Sequence, residues 1–135
     1  MKSMKILLTT FALCLIPTLF AQERFKAGLW EYTTTGGDNP GVTNTCLAAG
    51  ATEVVNGPPA VVRANAEKSA AKFNMKISKY SFDGTTITMT MASGSSVYVS
   101  KASYRGDTFE NVITTHTMGR VTTKTIKGKR IGPCP

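Results

Sequence analysis

The chain of 135 residues is poor in the residue types that build catalytic and metal sites. It has one histidine, three cysteines, one tryptophan and eight acidic residues. A metal site needs several ligands close together, and no Cys-x-x-Cys pair or histidine cluster is present. Chemistry by paired carboxylates has no support either, because the Asp and Glu residues are few and scattered. We therefore predict a protein without a cofactor or a metal and without a catalytic constellation.

An enzymatic hypothesis can rest only on His116, the sole histidine. A Ser-His-Asp arrangement would draw on the many Ser and Thr residues, with Asp83 or Asp107 orienting the imidazole. Both aspartates stand beside glycine in predicted turns, however, and no Gly-x-Ser-x-Gly segment is present. We interpret His116 as a strand residue on a partly solvated face, and a small hydrolase-type enzyme is the alternative.

Long hydrophobic runs are also absent, except for one at the N-terminus. Lys2 and Lys5 form a short basic segment, residues 6–20 are almost continuously apolar, and Ala21 is small enough to precede a signal-peptidase cut. The run is too short to span a bilayer comfortably. The pattern predicts a secretory signal peptide over residues 1–21, cleavage after Ala21, and a mature chain without a transmembrane segment.

Removal of the signal peptide takes Cys14 away and leaves two cysteines, Cys46 and Cys134. An even number in an exported chain favours a disulfide, because the compartment is oxidising. Two free thiols are the alternative, and a metal site lacks further ligands. In the chain-entropy model, so wide a loop removes about 4–5 kcal/mol of denatured-state entropy.

The clearest structural pattern lies in residues 75–93. After the Asp83-Gly84 turn signal, Ile87, Met89 and Met91 alternate with threonines, which predicts an antiparallel hairpin with one buried face. In the arm before the turn, a regular strand places Met75, Ile77 and Lys79 on one face. The other face of that arm then carries Lys76, Ser78, Tyr80 and Phe82.

The same alternation continues to the C-terminus, with strands predicted near residues 97–102, 109–116 and 120–131. A strand around Trp30 and a return strand at residues 42–46 open the mature chain, and Trp30 is expected in the core. Strands in series with short turns indicate an antiparallel meander. The predicted fold class is α+β, mostly β: a curved antiparallel β-meander sheet with one packed helix, in a single domain over residues 22–135.

The helix is predicted from Ala60 to Phe73. Val62, Ala66, Ala70 and Phe73 recur at spacings of four and three, which places them on one face of a helix. The face is mostly alanine, so we expect it to pack on the sheet rather than to stand alone. Residues 47–55 are predicted to form a helical turn.

A basic cluster dominates the C-terminal strand, because no acidic residue follows Glu110. Its members are a candidate anion-binding site: Arg120, Lys124, Lys127, Lys129 and Arg130. In a regular strand Arg120, Lys124 and Arg130 share one face, and Lys127 and Lys129 share the other. The alternative is an edge strand kept soluble by lysine. Nucleic acid is not an expected partner, because basic and aromatic residues are not interleaved.

Three short segments resemble one known family: Gly28-Leu-Trp-Glu31, Thr45-Cys-Leu47 and Arg130-Ile-Gly-Pro-Cys-Pro135. They are similar to the domain of unknown function 3617 family, small exported proteins of Gram-negative bacteria. The resemblance covers the mature chain and implies a periplasmic location and a β-rich fold, with no catalytic residues. Cys46 and Cys134 match the outer two of the family's four cysteines, and Met75 and Ser93 replace the middle pair.

The main functional hypothesis is a non-enzymatic periplasmic domain that binds a small apolar or amphipathic ligand. Ile87, Met89 and Met91 would line the binding face or fill it, since methionine is flexible and polarizable. Association with an anionic component of the cell envelope through the basic C-terminal strand is a further alternative.

Overall fold

The structure is a computed structural model that describes residues 23–135, so the predicted signal peptide lies outside the described residues. Its elements are β1 (Gly28–Gly36), β2 (Gly41–Leu47), α1 (Ala49–Asn56), α2 (Pro59–Lys72), β3 (Lys76–Phe82), β4 (Thr86–Ser93), β5 (Ser96–Tyr104), β6 (Thr108–Thr117) and β7 (Arg120–Gly132). The strands form one open antiparallel sheet in the order β2-β1-β7-β6-β5-β4-β3. The α+β, mostly β class is confirmed, and α1 is a full helix where the sequence predicts only a turn.

Five consecutive strands, β3 to β7, form the predicted meander, because each short turn returns the chain beside the strand it has just left. The hairpin of β1 and β2 completes the sheet on the far side of β7. There β1 pairs with β7 from Leu29↔Gly132 to Gly36↔Lys124. This order leaves β2 and β3 at the two edges, and α1 and α2 cross one face of the sheet to connect them.

A β-bulge changes the direction in which the side chains of β3 point. Ile77 pairs with Met91 and Lys79 pairs with Thr90, which leaves Ser78 unpaired. The extra residue shifts the alternation beyond it. The regular alternation predicted for this arm is therefore wrong. The residues of β3 that share a face with the apolar residues of β4 are Ile77, Tyr80 and Phe82.

An aromatic cluster forms the main part of the core. Trp30 is fully buried, and its Nε1 donates a hydrogen bond of 2.9 Å to the Lys26 carbonyl oxygen. The ring centroid of Phe25 lies 4.6 Å from that of Trp30 and 5.3 Å from that of Tyr104. Phe109 packs beside Tyr104 at 5.0 Å. The position of Trp30 agrees with the core role predicted for it.

Helix α2 buries one side against the sheet and begins with Pro59, a residue suited to a first helical turn. Val62 and Ala70 are buried, as their spacing predicts. Phe73 is 69% exposed, so its predicted place on the buried face is wrong. The helix ends at Lys72, and Asn74 turns the chain with a φ of 54°. Phe73 therefore lies outside the regular helix and points away from the sheet.

A short arm before β1 closes one end of the molecule. The guanidinium group of Arg24 donates hydrogen bonds to the carbonyl oxygens of Val55 (3.0 Å) and Gly57 (3.1 Å). A cation is favourable there, because the C-terminus of a helix carries partial negative charge. Phe25 and Asn56 exchange two further hydrogen bonds, of 2.9 and 2.8 Å. No sequence pattern predicts this arm.

The two cysteines of the described chain lie at disulfide distance. Cys46 in β2 and Cys134 near the C-terminus are joined through their sulfur atoms, with their Cα atoms 5.4 Å apart. The predicted pairing is therefore confirmed. It ties the edge strand β2 to the segment that follows β7.

Candidate ligand-binding face

The sheet face that packs against α1 and α2, termed the helix-side face, is organised in rows of residues that oppose one another across the strands. One row runs from Tyr80 through Met89, Ser100 and Ile113 to Lys124. Met89 lies in β4 and Lys124 in β7. Because neighbouring strands lie 4.7–4.9 Å apart, the row separates these two residues by roughly 14 Å.

The helices cover one end of this face, and between them and the sheet lies a depression of about 150 Å³ that is open to solvent, termed the inner cavity. Its apolar lining consists of Val54, Val55, Val62, Ala66, Ile87 and Met89. Its polar lining consists of Asn65, Ser69 and Tyr104. Ile87 and Met89 thus line this depression, and Met91 lies in the next row.

The tyrosines near the inner cavity stay neutral at ordinary pH. Burial raises the pKa of Tyr104 to about 12. Tyr80 adjoins Met89 in the row, and burial raises the pKa of its hydroxyl as well. That hydroxyl is buried without a hydrogen-bond partner among residues 23–135. The covered end of the helix-side face is therefore largely apolar and carries no charge from these residues.

Beyond the helices, the face continues as a depression of about 420 Å³, termed the open groove. The sheet contributes Tyr98, Ile113, Thr115, Thr122 and Lys124 to it, and the loop between β1 and β2 contributes residues 37–39. A second depression of about 370 Å³ shares part of this lining and extends to Arg120. The open groove thus combines Tyr98 and Ile113 with polar threonines and with two residues of opposite charge, Lys124 on the sheet and Asp38 in the loop.

Lys124 is the cation of the open groove. Its side chain is partly buried, and a Cβ atom placed on Gly37 would lie 3.3 Å from its Cδ, so the loop packs along its aliphatic stem. Within the part of the chain that the structure describes, its ammonium group takes part in no ion pair. A partly buried cation that is not engaged in an ion pair can bind an anion, and among the described residues Asp38 is the one acidic residue in the lining of the same groove.

The register divides the basic cluster between two faces, as the sequence predicts. The helix-side positions are Arg120, Lys124 and Arg130, and the opposite positions are Lys127 and Lys129. The five residues therefore do not converge on one site, and whether any of them binds an anion stays a prediction.

Two members of the cluster have partners within the chain. Arg130 donates a hydrogen bond of 2.7 Å from Nε to the Ala27 carbonyl oxygen and lies 4.0 Å from the Asp107 carboxylate. Lys127 lies 3.5 Å from the Glu110 carboxylate. Arg130 thus holds the start of β1 against β7, and Arg120 and Lys124 are the members that line the depressions of the helix-side face.

His116 lies on the face opposite the helices, away from the groove. It is exposed, and its cross-strand neighbours are Val97 and Val121. No hydrogen bond or ion pair to its ring is present within residues 23–135. This position lacks a carboxylate that could orient the imidazole, so the geometry gives the hydrolase hypothesis no support.

The two aspartates considered as orienting groups have other partners. Asp83 accepts hydrogen bonds from the backbone amides of Thr85 (3.0 Å) and Thr86 (2.7 Å), which lower the pKa of its carboxyl group. Asp107 forms an ion pair of 2.7 Å with Lys26. Asp83 thus stabilises the β3–β4 turn, and Asp107 helps to hold the N-terminal arm.

No protein-family model, curated protein or solved structure matches this chain. Among residues 23–135, no helix has the length and apolar character needed to cross a bilayer. The same residues contain no group of three or more His, Cys, Asp or Glu side chains placed to hold a metal. Function is therefore inferred from the fold and from the geometry of the helix-side face.

Proposed function

We propose that this protein is an exported, non-enzymatic domain that binds an elongated amphipathic ligand with an anionic headgroup, of the fatty-acid class. The observation that carries the proposal is the row that leads from Met89 at the inner cavity to Lys124 in the open groove. The apolar tail lies along this row, and the headgroup meets the ammonium group of Lys124.

The volumes of the inner cavity and the open groove support this placement of the tail and the headgroup. Ligand sites usually measure about 300–1,000 Å³. The inner cavity, at about 150 Å³, is too small for a whole ligand and suits the end of a tail. The open groove, at about 420 Å³, takes the remainder over Ile113 and Tyr98. Each methylene group removed from water contributes about 0.8 kcal/mol.

The charge distribution supports an anionic headgroup. The covered end of the face holds neutral tyrosines. The groove holds Lys124 and Asp38, and the adjoining depression adds Arg120, so the two cations outnumber the one carboxylate. A carboxylate or phosphate at Lys124 gains a charge-assisted hydrogen bond, which is roughly twice as strong as a neutral one. A cationic headgroup at this position would meet the like charge of Lys124.

An oxidising location is consistent with the bonded pair of Cys46 and Cys134. Together with the predicted signal peptide, this pair supports export to the periplasm of a Gram-negative bacterium. The resemblance to the domain of unknown function 3617 family supports the same location, and membership of that family is part of the proposal.

Binding of dansyl-labelled undecanoic acid to the purified mature protein tests the proposal. We expect fluorescence enhancement with a dissociation constant in the micromolar range. Ala66→Phe fills the inner cavity and should abolish binding, whereas Ala64→Phe, on the exposed side of the same helix, should leave it unchanged. Absence of binding by the unaltered protein, or equal binding by both variants, would overturn the proposal.

The headgroup is tested by a second matched pair in β7. Lys124→Gln should weaken binding by about tenfold or more, because a hydrogen bond to a charged group contributes about 1.5–3 kcal/mol. Lys127→Gln removes an equal charge from the opposite face and should have little effect. An equal loss in the two variants would show that overall charge, and not a defined headgroup site, governs binding.

A further inference from the structure

Strand β2 forms an edge of the sheet that is open to solvent. It pairs with β1 on one side only, and each residue from Gly41 to Cys46 is exposed. An edge strand presents unpaired N–H and C=O groups to any other strand, and proteins usually protect it with lysine, proline or a bulge. β2 contains no charged residue and no proline, and its register with β1 is unbroken.

The opposite edge, β3, is protected in the ways that β2 is not. Lys76 and Lys79 stand on its outer face, and the bulge at Ser78 interrupts its regular pairing. Helix α2 also packs on this strand. Since one edge of the sheet carries lysines and a bulge and the other carries neither, the unprotected β2 edge is a surface for strand pairing.

We propose that two copies of this chain pair through β2, edge to edge and antiparallel. The chain has 16 Lys and Arg residues against 8 Asp and Glu, so two copies repel one another over most of their surfaces. When two β2 strands pair, no charged side chains face each other, because β2 has none. Pairing through β3 would instead place the lysines of one copy near those of the other. An anionic partner would be attracted to the lysine-bearing strands and not to this neutral edge.

The side chains of β2 suit this self-pairing. Val42 is 62% exposed and lies on the same face of the strand as Asn44 and Cys46. A two-fold axis close to Asn44 places Val42 of one copy opposite the Cys46–Cys134 pair of the other copy. Cross-strand pairs of this kind stabilise a sheet by roughly 0.2–1 kcal/mol each, and two such contacts form at once.

Antiparallel pairing also fixes the relative orientation of the helix-side faces of the two copies. The two-fold axis then stands perpendicular to the sheet, so both helix-side faces lie on the same side of one continuous sheet. The two open grooves therefore point toward a common surface.

Sedimentation velocity of the oxidised mature protein tests the inference. We expect a monomer–dimer equilibrium at micromolar to millimolar concentration. Asn44→Lys sets two lysines against each other near the axis and should raise the dissociation constant at least tenfold. Ser81→Lys, an equal change on the exposed β3 edge, should leave it unchanged.

Hydrogen exchange provides a second, local measurement. The amides of residues 41–45 that point away from β1 should exchange more slowly as the protein concentration rises, while those of β3 should not change. A protein that stays monomeric at millimolar concentration, or a dimer that Asn44→Lys leaves intact, would overturn the inference.

Discussion

The ring of Tyr32 lies against Gly128 on the neighbouring strand β7. A Cβ atom at position 128 would stand 2.8 and 3.0 Å from two ring carbons of Tyr32 and 3.3 Å from the Cβ atom of Phe109. Tyr32 in turn stacks on Trp30, with ring centroids 6.1 Å apart and planes inclined by 16°. The glycine is needed here because it provides space beneath a ring, and the aromatic cluster depends on that space.

Gly128→Ala should therefore destabilise the protein by about 1–3 kcal/mol, the usual cost of overpacking a core. Gly132→Ala in the same strand is the control, because a Cβ atom there has no heavy atom within 4 Å. Urea denaturation measures both changes. Similar free energies of unfolding for the two variants would show that the Tyr32 ring moves aside without cost.

Reduction of the Cys46–Cys134 disulfide should lower the free energy of unfolding by about 4–5 kcal/mol, because the bridge closes a loop between residues 88 positions apart. The double variant Cys46→Ser, Cys134→Ser should show the same loss without reductant. Guanidinium denaturation with and without reductant gives the comparison. A loss below about 1 kcal/mol would mean that the reduced, unfolded chain keeps the two ends close together.

Tyr104 should make stability sensitive to alkaline pH. Its pKa is raised from the ordinary value of 10.0 to about 12 by burial, so the folded state keeps its proton where the unfolded state loses it. The protonated hydroxyl contributes its full share to the free energy of unfolding below pH 10. This contribution is lost as the pH rises toward 12, at a rate of up to about 1.4 kcal/mol per pH unit.

The variant Tyr104→Phe tests this dependence, because it keeps the ring and removes the titrating hydroxyl. Between pH 9 and 11 its free energy of unfolding should fall less steeply than that of the unaltered protein in urea. If the free energies of unfolding of the two proteins fall equally with pH, groups other than Tyr104 cause the loss of stability at alkaline pH.

A second disulfide should form when Met75 and Ser93 are both replaced by cysteine. Lys76 pairs with Ala92, so Met75 and Ser93 are the next opposed positions at the base of the β3–β4 hairpin. Opposed residues in antiparallel strands have Cα atoms about 4.5–5.5 Å apart, which suits a disulfide. The double variant Met75→Cys, Ser93→Cys should gain about 3 kcal/mol on oxidation.

Mass spectrometry of peptides from that variant shows whether the bridge forms. The control is Met75→Cys with Thr88→Cys, whose positions are far apart along the hairpin and should stay reduced. Failure of the first pair to bridge would argue against the proposed family membership, in which these positions hold the middle cysteine pair.

Local features of the fold were accessible from the sequence. The alternation of Ile87, Met89 and Met91 and the Asp83-Gly84 turn predict the β3–β4 hairpin, because both signals act between neighbouring residues. Cysteine number predicts the pairing of Cys46 with Cys134. The later strands follow from the same rules, and so does α2 to within a residue at each end.

Features that depend on contacts between distant segments could not be predicted in this way. The bulge at Ser78 has no sequence signature, and it reverses the faces predicted for Tyr80 and Phe82. The hydrogen bonds of Arg24 require α1 to end beside the N-terminal arm, which only the assembled fold shows. For the same reason, the row that connects Met89 to Lys124 appears only when four strands are in register.

The position of β1 in the sheet has a consequence for when the chain can fold. The first strand of the domain is flanked by β2 and by the last strand, and the hydrogen bond from Arg130 to Ala27 links residues 103 positions apart. A polypeptide that emerges from a ribosome or a translocation channel with its N-terminus first cannot close this sheet before its final residues appear. The topology thus delays closure of the sheet until β7 has emerged, and a chain whose sheet has not closed can still be threaded through a membrane pore.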